Sequence, residues 1–368
     1  MRACDYCGRQ NDDTLPHCLG CGTELPQPPV AELPPTLPTP KLINVATIES
    51  TFSLNQGFHL PDWGSVQAWI DSHISLEQQE EAWNEAALLW LSRLRDDLGG
   101  AYYVHPASQI LLLSDRPLEE ARWLSDFAGR AAITIKKHLG DTAWNGALGK
   151  DIVLAFSNDD DYYSYVSCYT PDGEQTASGG VCIHSGYTHI AIPWRDELDA
   201  ANAIVHELTH DCLAHLPLPL WLNEGVAVTL QKIIAPPQRS LGQNEQDIVF
   251  ASLINWQPPI MWDDLAERHF AFWNEKTIQS FWAGTSFFQP GEASELSYSL
   301  AEVILKLLTE KTDRQTFHAF LESAQPTDAG QSAARQILGM DLGEIAQTFL
   351  GDGHWQPDPN AIAKHLGS

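Results

Sequence analysis

The sequence is poor in basic residues: 21 Lys and Arg stand against 48 Asp and Glu, for a net charge of −27. A surface of that sign repels phosphate, so neither nucleic-acid binding nor docking on an anionic membrane is expected. No run of about 18 apolar residues occurs, so no segment is expected to span a bilayer. The opening residues, Met1-Arg2-Ala3-Cys4, lack the apolar stretch of a secretory signal. Cysteine is scarce, with seven in 368 residues, and four of these fall in a metal-binding pattern. That usage suits a reducing compartment, and a cytoplasmic location is expected. Apolar residues are plentiful: 43% hydrophobic content with 13 Trp is enough for one large folded body plus appendages.

Cys4-x-x-Cys7 and Cys18-x-x-Cys21 frame the first segment, each pair followed by glycine. Two such knuckles point four thiolates at one ion and predict a zinc ribbon over 1–25. With four thiolates no coordination position stays open, so that zinc is structural and stands in for the core that so short a segment lacks. His17 is read as a bystander. The segment's mixed charges suit docking of a protein partner better than nucleic acid. Seven prolines between Pro26 and Pro40 predict an extended linker over 26–42.

Residues 43–100 read as a helical extension packed on the following domain, dominated by a helix over 76–98 with Trp83, Ala87, Trp90, Leu91 and Leu94 on one face. A strand at 109–114, a helix at 117–139 and a strand at 152–156 follow. The Asp159-Asp160-Asp161 run reads as a helix start. Two strand-like stretches flank Ser185-Gly186; their His184 and His189 read as parts of an exposed strand face, and Cys168 and Cys182 as free thiols. An aromatic-rich segment over 236–295 reads as a helical subdomain, followed by a helix at 296–308 and small helices to Leu350. The order is that of an α+β domain over 101–352, with 353–368 as a tail.

One stretch dominates the chemistry. His206-Glu207-Leu208-Thr209-His210 lies in an amphipathic pattern from Asp199 to Leu216 whose stripe is Leu198, Ala201, Ile204, Val205, Leu208 and Cys212. On a helix, residues four apart share a face, so His206 and His210 reach one metal ion from the same side. Glu207 lies between them, within reach of a water on that ion. A third ligand completes a site with one open position, and Glu224, in Trp221-Leu222-Asn223-Glu224-Gly225 on the next helix, is the candidate. Pro217 and Pro219 force the turn between the two helices. Gly225 is expected to let these helices approach closely.

The two motifs together resemble the gluzincin metallopeptidases, specifically the peptidase MA-like group, over roughly 109–350. The resemblance implies a zincin fold: a twisted mixed sheet, an antiparallel edge strand before the zinc helix lining the cleft, then a glutamate helix and a helical C-terminal half. It implies zinc on His206, His210 and Glu224, with Glu207 as general base for hydrolysis of a peptide or protein substrate by zinc-activated water. It further implies a tyrosine donating to the oxyanion, for which Tyr298 is the candidate and His269 a rival. The acidic residue those enzymes carry four positions after the glutamate is replaced by Val228, which leaves the partner of the first histidine unassigned. A second expectation is a non-catalytic adaptor that docks a protein partner through the ribbon; the retained Glu207 argues against it.

Overall fold

In a computed structural model the described residues are 2–3, 9–11, 17–18, 20–21, 23, 37–144, 148–169, 179–235 and 262–366. They fall into two units, Met1–Thr36 and Leu37–Ser368.

In the first unit, β1 (Arg2–Ala3) pairs antiparallel with β2 (Gln10–Asn11). The backbone N–H of Cys18 donates to the Thr23 carbonyl at 2.8 Å, and that of Gly20 donates to the Cys18 sulfur at 3.3 Å. Cys4 and Cys7 lie outside the described residues, as do 26–36 of the expected linker.

The second unit is built on a five-stranded mixed sheet of order β5-β6-β7-β9-β8, with a separate two-stranded antiparallel pair. The strands are β5 (Tyr103–Pro106), β6 (Ile110–Ser114), β7 (Asp151–Phe156), β8 (Val181–Ile183) and β9 (His189–Pro193). β6, β7 and β9 run parallel, while β5 and β8 lie antiparallel at the two edges. All five residues of β6 are buried, as are five of the six in β7. Such uninterrupted apolar strands are what a parallel sheet covered on both faces requires.

The side chains alternate between two cores. Ile110, Leu112, Val153, Ala155, Ile190 and Ile192 face one, shared with α4 (Leu118–Leu139), α6 (Glu197–Leu213), α7 (Leu220–Ile234) and the C-terminal helices. Leu111, Leu113, Ile152, Leu154, Phe156 and Ala191 face the other, with α2 (Trp63–His73), α3 (Gln79–Asp97) and α5 (Asp159–Val166). The α+β class is therefore as read from the sequence.

Residues 43–100 pack on the body, as read from the sequence: Trp83, Trp90, Leu91 and Leu94 roof one face of the sheet. The segment also holds the hairpin β3 (Phe52–Asn55) and β4 (Phe58–Pro61), in which Gln56 and Gly57 both take positive φ, as a two-residue turn of the primed type requires. Two boundaries differ from the sequence reading. The linker's last residues belong to the body, because the Glu85 carboxylate accepts the N–H groups of Lys41, Leu42 and Ile43. The tail is packed rather than loose. Trp355 and Ile362 are buried, the latter within a helix at Pro359–Leu366, and the Trp282 indole donates to the Trp355 carbonyl at 2.8 Å.

Residues 236–261 of the aromatic-rich segment lie outside the described residues. Beyond them Trp273, Phe281, Trp282 and Phe287 are buried, and a helix at Glu292–Glu310 follows. Among the described residues no helix is long and apolar enough to cross a membrane.

Candidate metal centre

α6 begins where the Asp196 carboxylate accepts the Asp199 N–H at 2.8 Å, with Glu197 and Asp199 favourably placed in its first turn. Its stripe of Ala200, Ala201, Ile204, Val205, Leu208 and Cys212 is buried, which fixes the rotation of the helix and turns His206, Glu207 and His210 toward a cleft. α7 is anchored by Trp221, fully buried, whose indole donates to the Ala329 carbonyl at 3.0 Å. That anchor presents Asn223 and Glu224 to the same cleft.

The two imidazoles lie with ring centroids 4.7 Å apart. Glu224 Oε2 stands 3.1 Å from His206 Nε2 and 3.5 Å from His210 Nε2. Ligand bonds of 2.0–2.2 Å meeting at the tetrahedral angle place donor atoms about 3.3 Å apart. The two Glu224–histidine distances match that spacing, and the ligating atoms of all three residues lie within 4.8 Å of one another. The other ring nitrogens support this. His206 Nδ1 donates to Gln231 Oε1 at 3.2 Å, and His210 Nδ1 donates to Asn223 Oδ1 at 3.2 Å. Amide oxygens only accept, so each Nδ1 carries a proton. In the metal-free chain each Nε2 donates to Glu224, and it is the Nε2 proton that a metal would displace.

Gln231 supplies the partner that the sequence left unassigned at Val228. It lies seven residues after Glu224, two turns along the same face of α7.

The charges are strongly coupled. Burial by itself raises the Glu224 pKa, but hydrogen bonds from His206 and His210 outweigh it and bring the carboxyl down to about 2. Burial lowers the His210 pKa, yet Glu224 and then Glu207 raise it to about 9. Glu207 is buried and its pKa is raised, first by burial; the two histidines and a backbone hydrogen bond from Cys182 act against the shift. A carboxyl so placed takes a proton more readily than one in water.

These groups floor a cleft of about 1220 Å³. Gly179, Gly180 and Cys182 border it on one side, Phe288 and Tyr298 belong to its lining on the other, and Trp144 stands with His215 and Leu216 beyond the C-terminal end of α6. The Tyr298 ring centre lies 6.4 Å from that of His206 and 5.1 Å from that of Phe287. Burial, followed by the charges of Glu224 and Glu207, raises its pKa, so the phenol keeps its proton and remains a donor at neutral pH. His269, the rival, is elsewhere: fully buried, it bonds Ser299 Oγ and accepts the Trp273 indole, each at 3.0 Å.

Three further expectations are corrected. The strand just before α6 is not the edge: β9 is interior and parallel to β7, and the antiparallel edge at the cleft is β8. His189 is not exposed but buried, its Nε2 2.7 Å from the Tyr165 hydroxyl and its Nδ1 2.9 Å from the Tyr187 carbonyl. Burial, the largest influence, lowers its pKa to about 4. Gly225 does not face α6; a Cβ there would meet the Ala301 carbonyl oxygen at 3.1 Å, so its close approach is to the Tyr298 helix.

Gly180 has a role that the sequence did not reveal. A Cβ there would lie 2.9 Å from Ile192 Cγ2 and 3.1 Å from Glu207 Cγ, so only a glycine lets this strand pass so near the carboxylate. Cys168, Cys182 and Cys212 carry free thiols. No protein-family model matches the chain, and no curated protein is significantly similar to it.

Proposed function

We propose that the chain is a zinc-dependent peptidase of gluzincin type, with a zincin-like body and an N-terminal zinc ribbon. The observation that carries the reading is the convergence of the ligating atoms of His206, His210 and Glu224 within 4.8 Å of one another, with Glu207 buried beside them. An ordinary buried pair of helices has no need of three ligating atoms facing one point, nor of a carboxyl with raised pKa beside it.

When bound, zinc supplies the Lewis acidity that brings the pKa of water toward about 7. Glu207 takes the proton from the attacking water on a carboxylate oxygen and hands it to the departing amine nitrogen. The Cys182 backbone N–H on the edge strand lies near that carboxylate and favours its ionised form. Gln231 and Asn223 hold the two imidazoles in the tautomer that leaves Nε2 free. Tyr298 donates its phenolic hydrogen to the oxygen that becomes negative at the substrate carbonyl. A peptide lies along β8, whose outer edge pairs with no strand among the described residues and so offers backbone groups to an extended chain.

In the ribbon, Cys4, Cys7, Cys18 and Cys21 hold the structural zinc. The Gly20 N–H donating to the Cys18 sulfur is the kind of bond that steadies a ligating thiolate. The ribbon docks a protein partner, in keeping with an acidic chain that does not favour nucleic acid. The test is hydrolysis of a mixed peptide library by the full-length zinc-loaded chain, with Glu207→Gln as control. Cleavage that disappears in the control supports the reading. Absence of cleavage at full zinc occupancy would favour the adaptor instead.

A further inference from the structure

A second group of ligating side chains stands in the same cleft, apart from His206, His210 and Glu224. Cys182 lies in β8 and His184 follows two residues on, so the alternation of an extended strand puts both on one face. Asp211 lies on α6, four residues after Glu207 and therefore on the face that carries Glu207 toward β8. The ligating atoms of Cys182, His184 and Asp211 all lie within 4.8 Å of one another. Cys182 and Asp211 are half-buried and His184 is exposed, so the cluster has a buried side and a side open to the cleft.

We propose that Cys182, His184 and Asp211 form a second transition-metal site, which bridges the edge strand and the helix that carries the first. The donor set of one sulfur, one imidazole nitrogen and one carboxylate oxygen selects a borderline ion, with Zn²⁺ foremost, over Mg²⁺ or Ca²⁺. Three protein donors leave a coordination position facing the cleft. The surroundings favour a cation: the carboxylates of Asp211, Glu207 and Asp151 all stand near the Cys182 thiol, and Lys136 is the side-chain cation that acts on Asp151 and Asp211. The site also has a route to the neighbouring chemistry. The Cys182 side chain is a ligand, and Glu207 stands beside the same strand, where a Cβ on Gly180 would lie 3.1 Å from Glu207 Cγ. A metal joining Cys182 to Asp211 fixes the strand segment that positions Glu207.

The site is independent of the peptidase reading, and its test is built to separate the two. The full-length chain, stripped of metal, is titrated with Co²⁺, with bound equivalents and sulfur-to-cobalt charge-transfer absorption recorded together. Cys182→Ser and His184→Ala each lose one equivalent relative to wild type. The Cys182→Ser loss takes with it part of the charge-transfer band. His206→Ala loses a different equivalent and leaves that band intact, and the double variant His206→Ala/His184→Ala loses both. Cys182→Ser is nearly isosteric and His184 is exposed, so at least the second variant folds as wild type, as circular dichroism verifies. Equal Co²⁺ binding and equal charge-transfer intensity in wild type, Cys182→Ser and His184→Ala would overturn the site. Loss of the Cys182-dependent band in His206→Ala would overturn its independence from the first.

Discussion

His206 Nδ1 donates to Gln231 Oε1 at 3.2 Å, across the contact between two helices and 25 residues along the chain. The partner of the first histidine is thus an uncharged amide, and so is that of the second, Asn223. Glu224 is then the carboxylate that faces both Nε2 atoms, and each Nδ1 is held by a neutral amide.

Removing the amide tests this directly. Gln231→Ala is expected to weaken zinc binding by about 10–100-fold, the usual cost of losing such a partner. Gln231→Glu is expected to strengthen binding relative to wild type, since a carboxylate makes the ring a better donor. Competition with a chromophoric chelator measures both, and equal affinity in all three proteins would remove Gln231 from the site.

Glu207→Gln keeps the shape of the side chain and removes the proposed base. Hydrolysis is expected to fall by about 10²–10⁴-fold with zinc content unchanged. Tyr298→Phe removes one oxyanion donor and is expected to cost about 10²–10³-fold in kcat. Steady-state kinetics on a cleaved library peptide, with elemental analysis of the same samples, checks both.

The metal-free protein has a pH signature of its own. Glu224 titrates at about 2 rather than 4.5, so its contribution to stability is present above 4.5 and is lost as pH falls toward 2. His210 titrates at about 9 rather than 6.5, so its contribution is present below 6.5 and is lost as pH rises through 9. The pair stabilises the metal-free chain most between pH 4.5 and 6.5. Thermal melts of metal-free wild type and Glu224→Gln are expected to differ most in that window and to converge on both sides. A difference that is flat with pH would contradict the pairing.

Two glycines separate stability from chemistry. Gly225→Ala presses a methyl group on the Ala301 carbonyl and is expected to cost about 1–3 kcal/mol in denaturant unfolding. Gly180→Ala presses on Ile192 and on Glu207 itself, so its main expected effect is lost turnover. Equal losses of turnover in the two variants at matched stability would argue against a special place for Gly180.

Much of the site follows from short-range pattern. The i, i+4 spacing of His206 and His210, the stripe from Ala201 to Cys212 and the prolines at 217 and 219 are local signals, and α7 runs over Leu220–Ile234 as its apolar pattern predicts. Features that depend on long-range packing are invisible in the sequence. Gln231 lies on the right face of α7, but only the crossing of α6 and α7 brings it to His206. His189 reads as an exposed strand residue until Trp90 and Tyr165 arrive from distant segments to cover it. The 43–100 segment packs on the body as its apolar stripe implies, but which face of the sheet it roofs is set by long-range contacts.

The central claim is that His206, His210 and Glu224 hold a zinc ion apart from the ribbon. Elemental analysis tests it most directly, on the full-length chain and on His206→Ala/His210→Ala after dialysis against zinc-free buffer. Wild type is predicted to retain one zinc equivalent more than the double variant, with the ribbon's zinc common to both. Equal zinc in the two proteins would contradict the account.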